Sequence, residues 1–436
     1  MELQQTTAAL RARGANLFYG WWIVAAGFVN QALAAALIQR SYGTYVAVLR
    51  EEFGWSKAAL SGAFSMQQIE NGMLGPAQGW LIDRFGPRLS MRLGTSMLGI
   101  GFMAFSQINS LTGFYVAYLC MAVGVSLGGF FPFTVVIVNW FDRRRARALS
   151  TFQMGGAVGG LLVTAVAFAL ETFGWRTTAF ASGMAILAIG LPLIQIVHQK
   201  PEDLGLRVEG DDSPEADDTN AGTDVSVPGR VDFTVRQAMR TRAFWLVSFG
   251  HGSALLIVSA VNVHLVLHLT EDLGYSLALA SFVVTVVQAS QIGGTFIGGL
   301  IGDRLDKRYI SMSCMAAHTV GLLLVALAVN AVMVFAFAIL HGMAWGLRGP
   351  MMQAIRADYF GRTSYGAILG MSSLITMFGS ILGPIVAGYL ADKTGSYEEG
   401  FIILALLSGL GSVFFLLARR PDPPVVETQV QPSAVA

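Results

Sequence analysis

The chain has 436 residues, of which 54% are hydrophobic and 13% charged, with a formal net charge of +1 and a mean hydropathy of +0.58. Soluble globular proteins carry about 25% charged residues, so this composition excludes most soluble folds and also an extended disordered chain. The near-zero net charge argues against a nucleic-acid partner. The two cysteines, Cys120 and Cys314, each lie in an apolar run, so we expect no disulfide framework, no metal site and no cofactor.

Twelve apolar runs are long enough to cross a bilayer core, which takes about 20 residues per helix. In the first half they are 18–38, 57–82, 90–107, 111–139, 148–170 and 176–198, and in the second half 243–269, 276–301, 309–330, 331–357, 364–391 and 398–418. The first run is full length and eleven more follow, so we interpret it as a retained span and not a signal peptide. The pattern predicts an all-α polytopic membrane protein with twelve transmembrane helices in two six-helix bundles.

A polar connector at 199–242 separates the two sets of spans. It holds three prolines and the acidic stretch 209–218, so it is predicted to be a mobile linker whose basic end, 232–242, forms a short interfacial helix. The predicted divisions are listed in chain order: N-terminal tail 1–17, N-terminal bundle 18–198, linker 199–242, C-terminal bundle 243–418 and C-terminal tail 419–436.

The Lys and Arg residues predict the orientation of the chain in the membrane. Of the 28, 22 lie in the two tails and the even-numbered loops, Arg356 among them, and Arg40 is one of five on the opposite side. Only Arg348 then lies inside a span. Because positively charged loops remain cytoplasmic, both termini are predicted to be cytoplasmic, in a cell inner membrane.

The two halves repeat each other. The loop 79–88 after the second span recurs as 299–308 after the eighth, and the fourth and tenth spans share a pattern of small and aromatic residues: Gly124, Gly128, Pro132 and Phe141 against Gly342, Gly346, Pro350 and Tyr359. Because six is an even number, both halves enter the membrane in the same sense. This is the parallel repeat expected of a two-bundle transporter.

The twelve-span plan and the Gly-xxx-Asp-Arg-x-Gly-x-Arg loop at 79–88 resemble the major facilitator superfamily. The motif Tyr-Gly-Trp-Trp at 19–22 and the segment 140–148 are similar to the monocarboxylate transporter and oxalate:formate antiporter group. The resemblance implies a transporter and not an enzyme, with a conformational latch at Gly79, Asp83, Arg84, Gly86 and Arg88 and a copy at Asp303 and Arg304. Alternatively, these charges only enforce topology.

Glu70 lies near the middle of the second span, beside Gln67 and Asn71. Ionisable residues at this depth are costly, and a carboxyl group without a cation there favours its protonated form. Glu70 is therefore a candidate proton-coupling residue. The alternative is a hydrogen-bonded glutamate that only joins two helices.

Arg348 lies in the tenth span and remains charged, so it is expected to seek an anion. His341, Trp345, Arg348 and Met352 follow 4-3-4 spacing and share one helix face. The superfamily resemblance implies that this span lines the central cavity, so we predict that the face binds substrate. The alternatives are a fixed pair between Arg348 and a carboxylate such as Glu70, or snorkelling of Arg348 toward the cytoplasm.

His264 and His268 lie four residues apart in the seventh span. Histidine titrates near physiological pH, so both are candidates for proton coupling, against the alternative that they are structural. The spacing is weak support for a metal site, and none is predicted. The oxalate-type members that the chain resembles place cations in the eighth and eleventh spans. The corresponding runs of this chain, 276–301 and 364–391, contain no Lys or Arg. A single buried arginine therefore favours a substrate with one negative charge.

The sequence thus predicts a secondary active transporter that moves a small organic anion, a monocarboxylate in the simplest case, by proton-coupled alternating access. An anion exchanger, an efflux carrier for an amphipathic compound and a non-transporting membrane sensor remain as alternatives. The expected partners are the substrate anion, a proton and the lipid bilayer, and the expected state is a monomer.

Overall fold

The computed structural model describes residues 17–210 and 232–424, which hold twelve long helices, α1 to α12. The first six are listed in order: α1 Gly20–Ala34 with the π-helical Ala35–Gln39, α2 Lys57–Phe85, α3 Pro87–Phe105, α4 Leu111–Gly128 with Phe130–Trp140, α5 Arg145–Leu161 with Val163–Phe173, and α6 Trp175–Ala185, Ile186–Gly190 and Leu191–Ile196. The second six are α7 Arg242–Leu267 with the π-helical His268–Asp272, α8 Leu277–Ile301, α9 Lys307–Ala326, α10 Ala331–Phe360, α11 Tyr365–Thr394 and α12 Glu398–Leu417.

Polar cap residues set where several of these helices begin. Ser56 starts α2 and accepts a hydrogen bond from the Ala59 N–H, and Ser110 does the same for α4. Ser276 of α8 and Asn330 of α10 occupy the equivalent positions, each 220 residues further along the chain. Such caps satisfy backbone N–H groups that the first turn of a helix leaves unpaired. The repeat therefore extends to the residues that define the helix ends.

Ten of the twelve helices are long and apolar enough to cross a membrane when judged one at a time. The exceptions among the described residues are α2 and α3. Glu70 and a series of amides lower the hydropathy of α2, and α3 begins with Arg88 and Arg92 in its first two turns. Packing inside a bundle lets both helices carry this polarity, because their polar faces need not contact lipid.

The structure corrects the location of Arg356, whereas Arg40 lies on the side where the sequence placed it. After α1, the chain continues as the helix Tyr42–Phe53 where a loop was expected, and Arg40 lies at the junction between these two helices. Arg356, predicted to be a loop residue, lies inside α10 with 2% of its surface exposed. A count of charges along the sequence could not detect the placement of Arg356, because this residue is only one turn from the end of α10.

The two described ends of the linker are folded against the bundles, so the prediction of a mobile connector is wrong for them. Glu209 accepts backbone hydrogen bonds from Asp142 and Arg143, while Phe233 donates its N–H to the carbonyl of Phe360. The predicted basic helix is present as Val235–Arg240. Residues 211–231, with most of the acidic stretch, lie outside the described residues.

The bundles contact each other along two equivalent helix pairs, α2 with α11 and α5 with α8. A Cβ at Gly79 would lie 2.5 Å from the carbonyl oxygen of Gly366, and one at Gly299 would lie 3.2 Å from Ser150 Cβ. Glycine therefore permits the close approach of these backbones. We call the end of the molecule with these contacts and the linker the linker end, and the opposite end, with the helix Tyr42–Phe53, the far end.

Candidate substrate cavity and linker-end contacts

A cavity of ≈ 570 Å³ lies between the two bundles, from their middle toward the far end. Its wall is formed by α1, α2, α4, α7 and α10, through Gln39, Arg40, Gln67, Asn71, Gln78, Val125, Ser126, Phe130, Phe131, Asn262 and Trp345. Amides dominate one part of this wall and aromatic rings another. A small molecule with a polar head and an apolar body would fit such a lining.

Arg40 is the cation among the described residues of this cavity wall, which include no aspartate or glutamate. Its exposed side chain extends beside α5, where the Arg40 Cγ is 4.0 Å from the position of a Cβ at Gly160. The ion pairs formed by the described residues do not include Arg40. The guanidinium is therefore available to an anion that enters the cavity.

Glu70 lies at the edge of the cavity and is joined to α4. Its Oε2 accepts a hydrogen bond from Ser126 Oγ at 3.1 Å, while its Oε1 is buried without a partner. The Ser126 hydroxyl is also 2.7 Å from Asn71 Oδ1. The pairing of Glu70 with Arg348 that the sequence left open is not formed, because Glu70 bonds to Ser126 and Arg348 has no acidic partner among the described ion pairs.

The predicted substrate face of α10 is divided by the structure. Trp345 lines the cavity, whereas His341, Arg348 and Met352 are buried and are not part of its wall. His341 Nδ1 is 3.1 Å from His318 Nδ1 of α9. The cavity therefore reaches this helix face only at Trp345, while the residues one turn before and after it are enclosed by the C-terminal bundle.

The histidines of α7 lie near the far end, away from the cavity wall. His268 is 1% exposed, and both of its ring nitrogens are bonded, Nδ1 to Asp272 Oδ2 at 2.7 Å and Nε2 to the Val325 carbonyl at 2.9 Å. His264 Nε2 is 3.0 Å from the Pro384 carbonyl. These contacts join helices of one bundle, which is the arrangement expected if the two histidines have a structural role and not a role in proton coupling.

At the linker end, two acidic residues cap helices of the opposite bundle. Asp83 Oδ2 accepts the Ala367 N–H of α11 at 3.1 Å, and Asp303 accepts the N–H groups of Ala146 and Arg147 in α5 at 2.7 and 3.0 Å. Both carboxylates lie at the positive amino-terminal end of a helix, where a negative charge is favourable. Asp303, in the repeat copy of the loop at 299–308, thus makes one more described backbone contact than Asp83 in the loop at 79–88.

The remaining predicted latch residues make other contacts, and no described ion pair joins Asp83 to one of the neighbouring arginines. Arg84 lies over the rings of Trp80 and Phe85, Arg88 donates to the Gln195 carbonyl, and Arg304 is exposed. Gly86 forms the turn between α2 and α3 with φ +82°. Burial, together with the nearby Arg88 charge, lowers the pKa of His198, which lies just after α6.

An ion pair that was not predicted from the sequence also joins the bundles. Arg145 of α5 contacts Asp358 of α10, whose other oxygen is 2.8 Å from Lys307 Nζ. Arg145 was counted only as a loop charge. The offset between the repeats could not reveal the pair, because Arg145 begins α5 and Asp358 lies in the last turn of α10, and only the packing of the two bundles brings these helix ends together.

Comparisons with known proteins identify the family. The model of the Major Facilitator Superfamily matches residues 24–261 and 247–434. The chain belongs to the major facilitator superfamily. This major facilitator is therefore a multi-pass membrane transporter with twelve transmembrane helices and not an enzyme, which confirms those predictions.

Its relatives include carriers of small anions. It is 26% identical to monocarboxylate transporter 13 of Bos taurus over 94% of this chain and 92% of the relative, and 24% identical to the oxalate:formate antiporter of Oxalobacter formigenes over 91% and 92%. A probable sulfoacetate transporter of Cupriavidus necator is 25% identical over 84% and 86%. These values confirm the resemblance to the monocarboxylate transporter and oxalate:formate antiporter group.

Solved structures agree with the fold. The fucose transporter FucP in the outward conformation has a TM-score of 0.70 and 14% identity, with 92% of this chain and 98% of that chain covered. The human organic anion transporter MFSD10 has a TM-score of 0.66 and 13% identity, with 90% and 98% covered. At these identities the likeness establishes the shared fold.

Proposed function

We propose that this major facilitator carries small organic anions of the monocarboxylate class by alternating access, with the linker end in the cytoplasm of a cell whose inner membrane it spans. The observation that carries the proposal is Arg40, the cation of a cavity wall whose described residues include no carboxylate. A carboxylate group would bind this guanidinium through two parallel hydrogen bonds. The apolar part of the substrate would lie against Phe130, Phe131 and Trp345.

The relatives' names support the same class of substrate. One is called a monocarboxylate transporter, one an oxalate:formate antiporter and one a probable sulfoacetate transporter. A single cavity cation favours a substrate with one negative charge over a dianion, because a second carboxylate would be desolvated without a partner. The contact with substrate that we predicted for Arg348 is reassigned in this proposal to Arg40 and Trp345.

The test is uptake of radiolabelled monocarboxylates into proteoliposomes. Arg40→Gln is expected to raise the KM at least tenfold, which corresponds to the loss of one charged hydrogen-bonding partner, worth about 1.5–3 kcal/mol. The matched control is Arg50→Gln, which removes an exposed arginine of the far-end helix Tyr42–Phe53 that does not line the cavity. An Arg40→Gln carrier with an unchanged KM would refute the assignment, and wild-type protein without saturable uptake would refute the function.

Proton coupling is assigned to Glu70. It lies beside the cavity and has no described cationic partner, so a substrate anion bound nearby would favour its protonated form by like-charge repulsion. One anion and one proton would then move together without net charge. The Ser126 hydroxyl, which already bonds to Glu70 and lines the cavity, connects the two sites.

Proton coupling through Glu70 distinguishes a proton symporter from an anion exchanger. We expect Glu70→Gln to exchange substrate across the membrane but to lose accumulation driven by a pH gradient, while Glu171→Gln, at an exposed position of α5, behaves as wild type. Normal pH-driven accumulation in Glu70→Gln would exclude this residue. Wild-type exchange without any pH-driven accumulation would favour the anion exchanger.

The linker-end contacts would keep the carrier closed on the cytoplasmic side in this state. Asp83, Asp303 and the Arg145–Asp358 pair each join one bundle to the other, and the cavity lies on the other side of these contacts. Opening toward the cytoplasm requires all three to separate. We therefore propose the loop residues around Asp83 and Asp303 as the latch of the alternating-access cycle.

A further inference from the structure

Arg348 is a buried cation that the proposed transport mechanism leaves without a role. It lies in α10 with 1% of its surface exposed, and its Nε and Nη1 have no hydrogen-bond partner. Its guanidinium interacts electrostatically with Cys314, His318 and His341. No carboxylate is among these neighbours, so the charge is not neutralised locally.

Arg356, two turns further along α10, reinforces this charge. Its guanidinium donates to the Met352 carbonyl at 2.7 Å and to Ser372 Oγ at 2.7 Å, and lies 3.1 Å from His251 Nδ1. These acceptors are all neutral. Each guanidinium nitrogen of Arg356 therefore has a hydrogen-bond partner, but no described carboxylate pairs with its positive charge, and the two arginines add their fields inside one bundle.

The described acidic residues of the C-terminal bundle are located at helix ends. They are Glu271, Asp272, Asp303, Asp306, Asp358, Asp392, Glu398 and Glu399. Between these ends, α8 and α12 contribute no charged residue to the interior. The His318–His341 contact needs one protonated and one bare Nδ1, an arrangement that two neutral rings provide. The core of this bundle thus carries a net positive charge.

This charge lies directly behind the substrate cavity. Trp345, one helical turn before Arg348, forms part of the cavity wall, and its ring centroid is 6.4 Å from that of His341. A field in a low-dielectric interior extends further than one in water and is hardly screened by salt. A negative substrate against Trp345 would therefore be stabilised by Arg348 without touching it.

We propose that Arg348, supported by Arg356, determines the charge selectivity of the cavity through this long-range field. The inference rests on the proposed anion transport and adds a specificity residue to it. Arg40 attracts the carboxylate by contact in the hydrated cavity, whereas Arg348 favours any monoanion over its uncharged analogue from within the bundle. Arg348 is thus a selectivity residue that acts at a distance.

The test compares a carboxylate with its neutral amide as inhibitors of uptake. Arg348→Met is expected to lower the preference for the carboxylate over the amide about tenfold. This is the size of effect that a unit charge roughly 10 Å away exerts on an anion at an effective dielectric constant of about 20. The affinity for the amide is expected to stay the same. The change in Arg348→Met should persist at 1 M salt, while that in Arg40→Gln should shrink, because Arg40 is exposed to screening.

Thermal stability separates this role from a structural one. Removing an unpartnered buried charge is expected to leave the melting temperature of Arg348→Met equal to or above that of wild type, whereas Arg356→Met loses bonds to Ser372 and His251 and should melt lower. Both variants should lose anion preference. A lower melting temperature for Arg348→Met together with an unchanged preference would overturn the inference and indicate a structural arginine.

Two further outcomes would also decide the matter. If chloride raises the melting temperature of wild type, relative to gluconate at equal ionic strength, but not that of Arg348→Met, an anion binds the residue directly and action at a distance is refuted. If wild-type protein shows no saturable carboxylate uptake, the proposed function fails. Normal wild-type uptake with an unchanged carboxylate-to-amide ratio in Arg348→Met defeats only the present inference.

Discussion

The carboxylate of Asp303 offers a quantitative test of how the bundles are held together at the linker end. Its two oxygens accept the N–H groups of Ala146 and Arg147 across the bundle interface. Asparagine would keep one acceptor but lose the second acceptor and the charge at the amino terminus of α5. Charged capping interactions of this kind are worth about 0.3–2 kcal/mol. We take about 1.4 kcal/mol, which corresponds to a tenfold shift of the closed-to-open equilibrium.

Asp83 makes the equivalent contact on the other interface, where it caps α11 from α2. The two contacts share no residue, so their effects are expected to add. Asp303→Asn should therefore increase the open population about tenfold, and the double variant with Asp83→Asn about a hundredfold. The control is Asp306→Asn, because Asp306 caps its own helix α9 through the Arg308 N–H and does not join the bundles.

The assay is alkylation of one cysteine placed inside the interface. Ser150 of α5 is 1% exposed and lies against Gly299 of α8. Ser150→Cys, in a background without Cys120 and Cys314, is labelled only when the bundles separate, so its rate reports the open population. A labelling rate that Asp303→Asn leaves unchanged, or that Asp306→Asn raises equally, would refute the reasoning.

Three further substitutions, one of them with a matched control, test the packing within bundles by thermal unfolding of the purified carrier. Gly346→Ala should lower the melting temperature, because the new Cβ would collide with the Gln291 carbonyl, whereas Gly293→Ala, with open space around it, should raise it through better helix propensity. Asp272→Ala should cost about 2–4 kcal/mol, since His268 Nδ1, Ser396 Oγ and the Tyr397 N–H all lose their acceptor. Trp140→Phe should cost about 1–3 kcal/mol by leaving the His198 carbonyl without its indole donor, and wild-type stability in either of these two variants would contradict the assigned contacts.

Most of the architecture could be predicted because local patterns carry it. Apolar length indicated all twelve helices, including α2 and α3, which fail a hydropathy criterion when judged individually. The repeat of the loop 79–88 at 299–308 placed two acidic residues at equivalent helix ends. Their acceptor roles toward the opposite bundle could be suggested from helix electrostatics, but the partners, Ala367 and Ala146, required the packed structure.

The candidate site was harder to predict, since cavity walls are assembled from distant segments. Arg40 was interpreted as a topological charge and Arg348 as a substrate contact, whereas the structure places Arg40 on the cavity wall and Arg348 behind it. Both carry the same side chain. What differs is the direction in which each helix presents it, and that direction depends on how α1 and α10 pack against their neighbours.

The sequence by itself therefore determined the membrane class, the number of helices, the duplicated bundle and the family resemblance, because hydropathy, charge bias and repeat motifs are properties of contiguous residues. Only the tertiary structure decided which polar residues meet. It joined Glu70 to Ser126, Asp303 to α5 and His318 to His341, and it left Arg348 without a partner. The physical reason is that solvation and pairing of a buried charge depend on every helix around it, and those neighbours come from the whole chain.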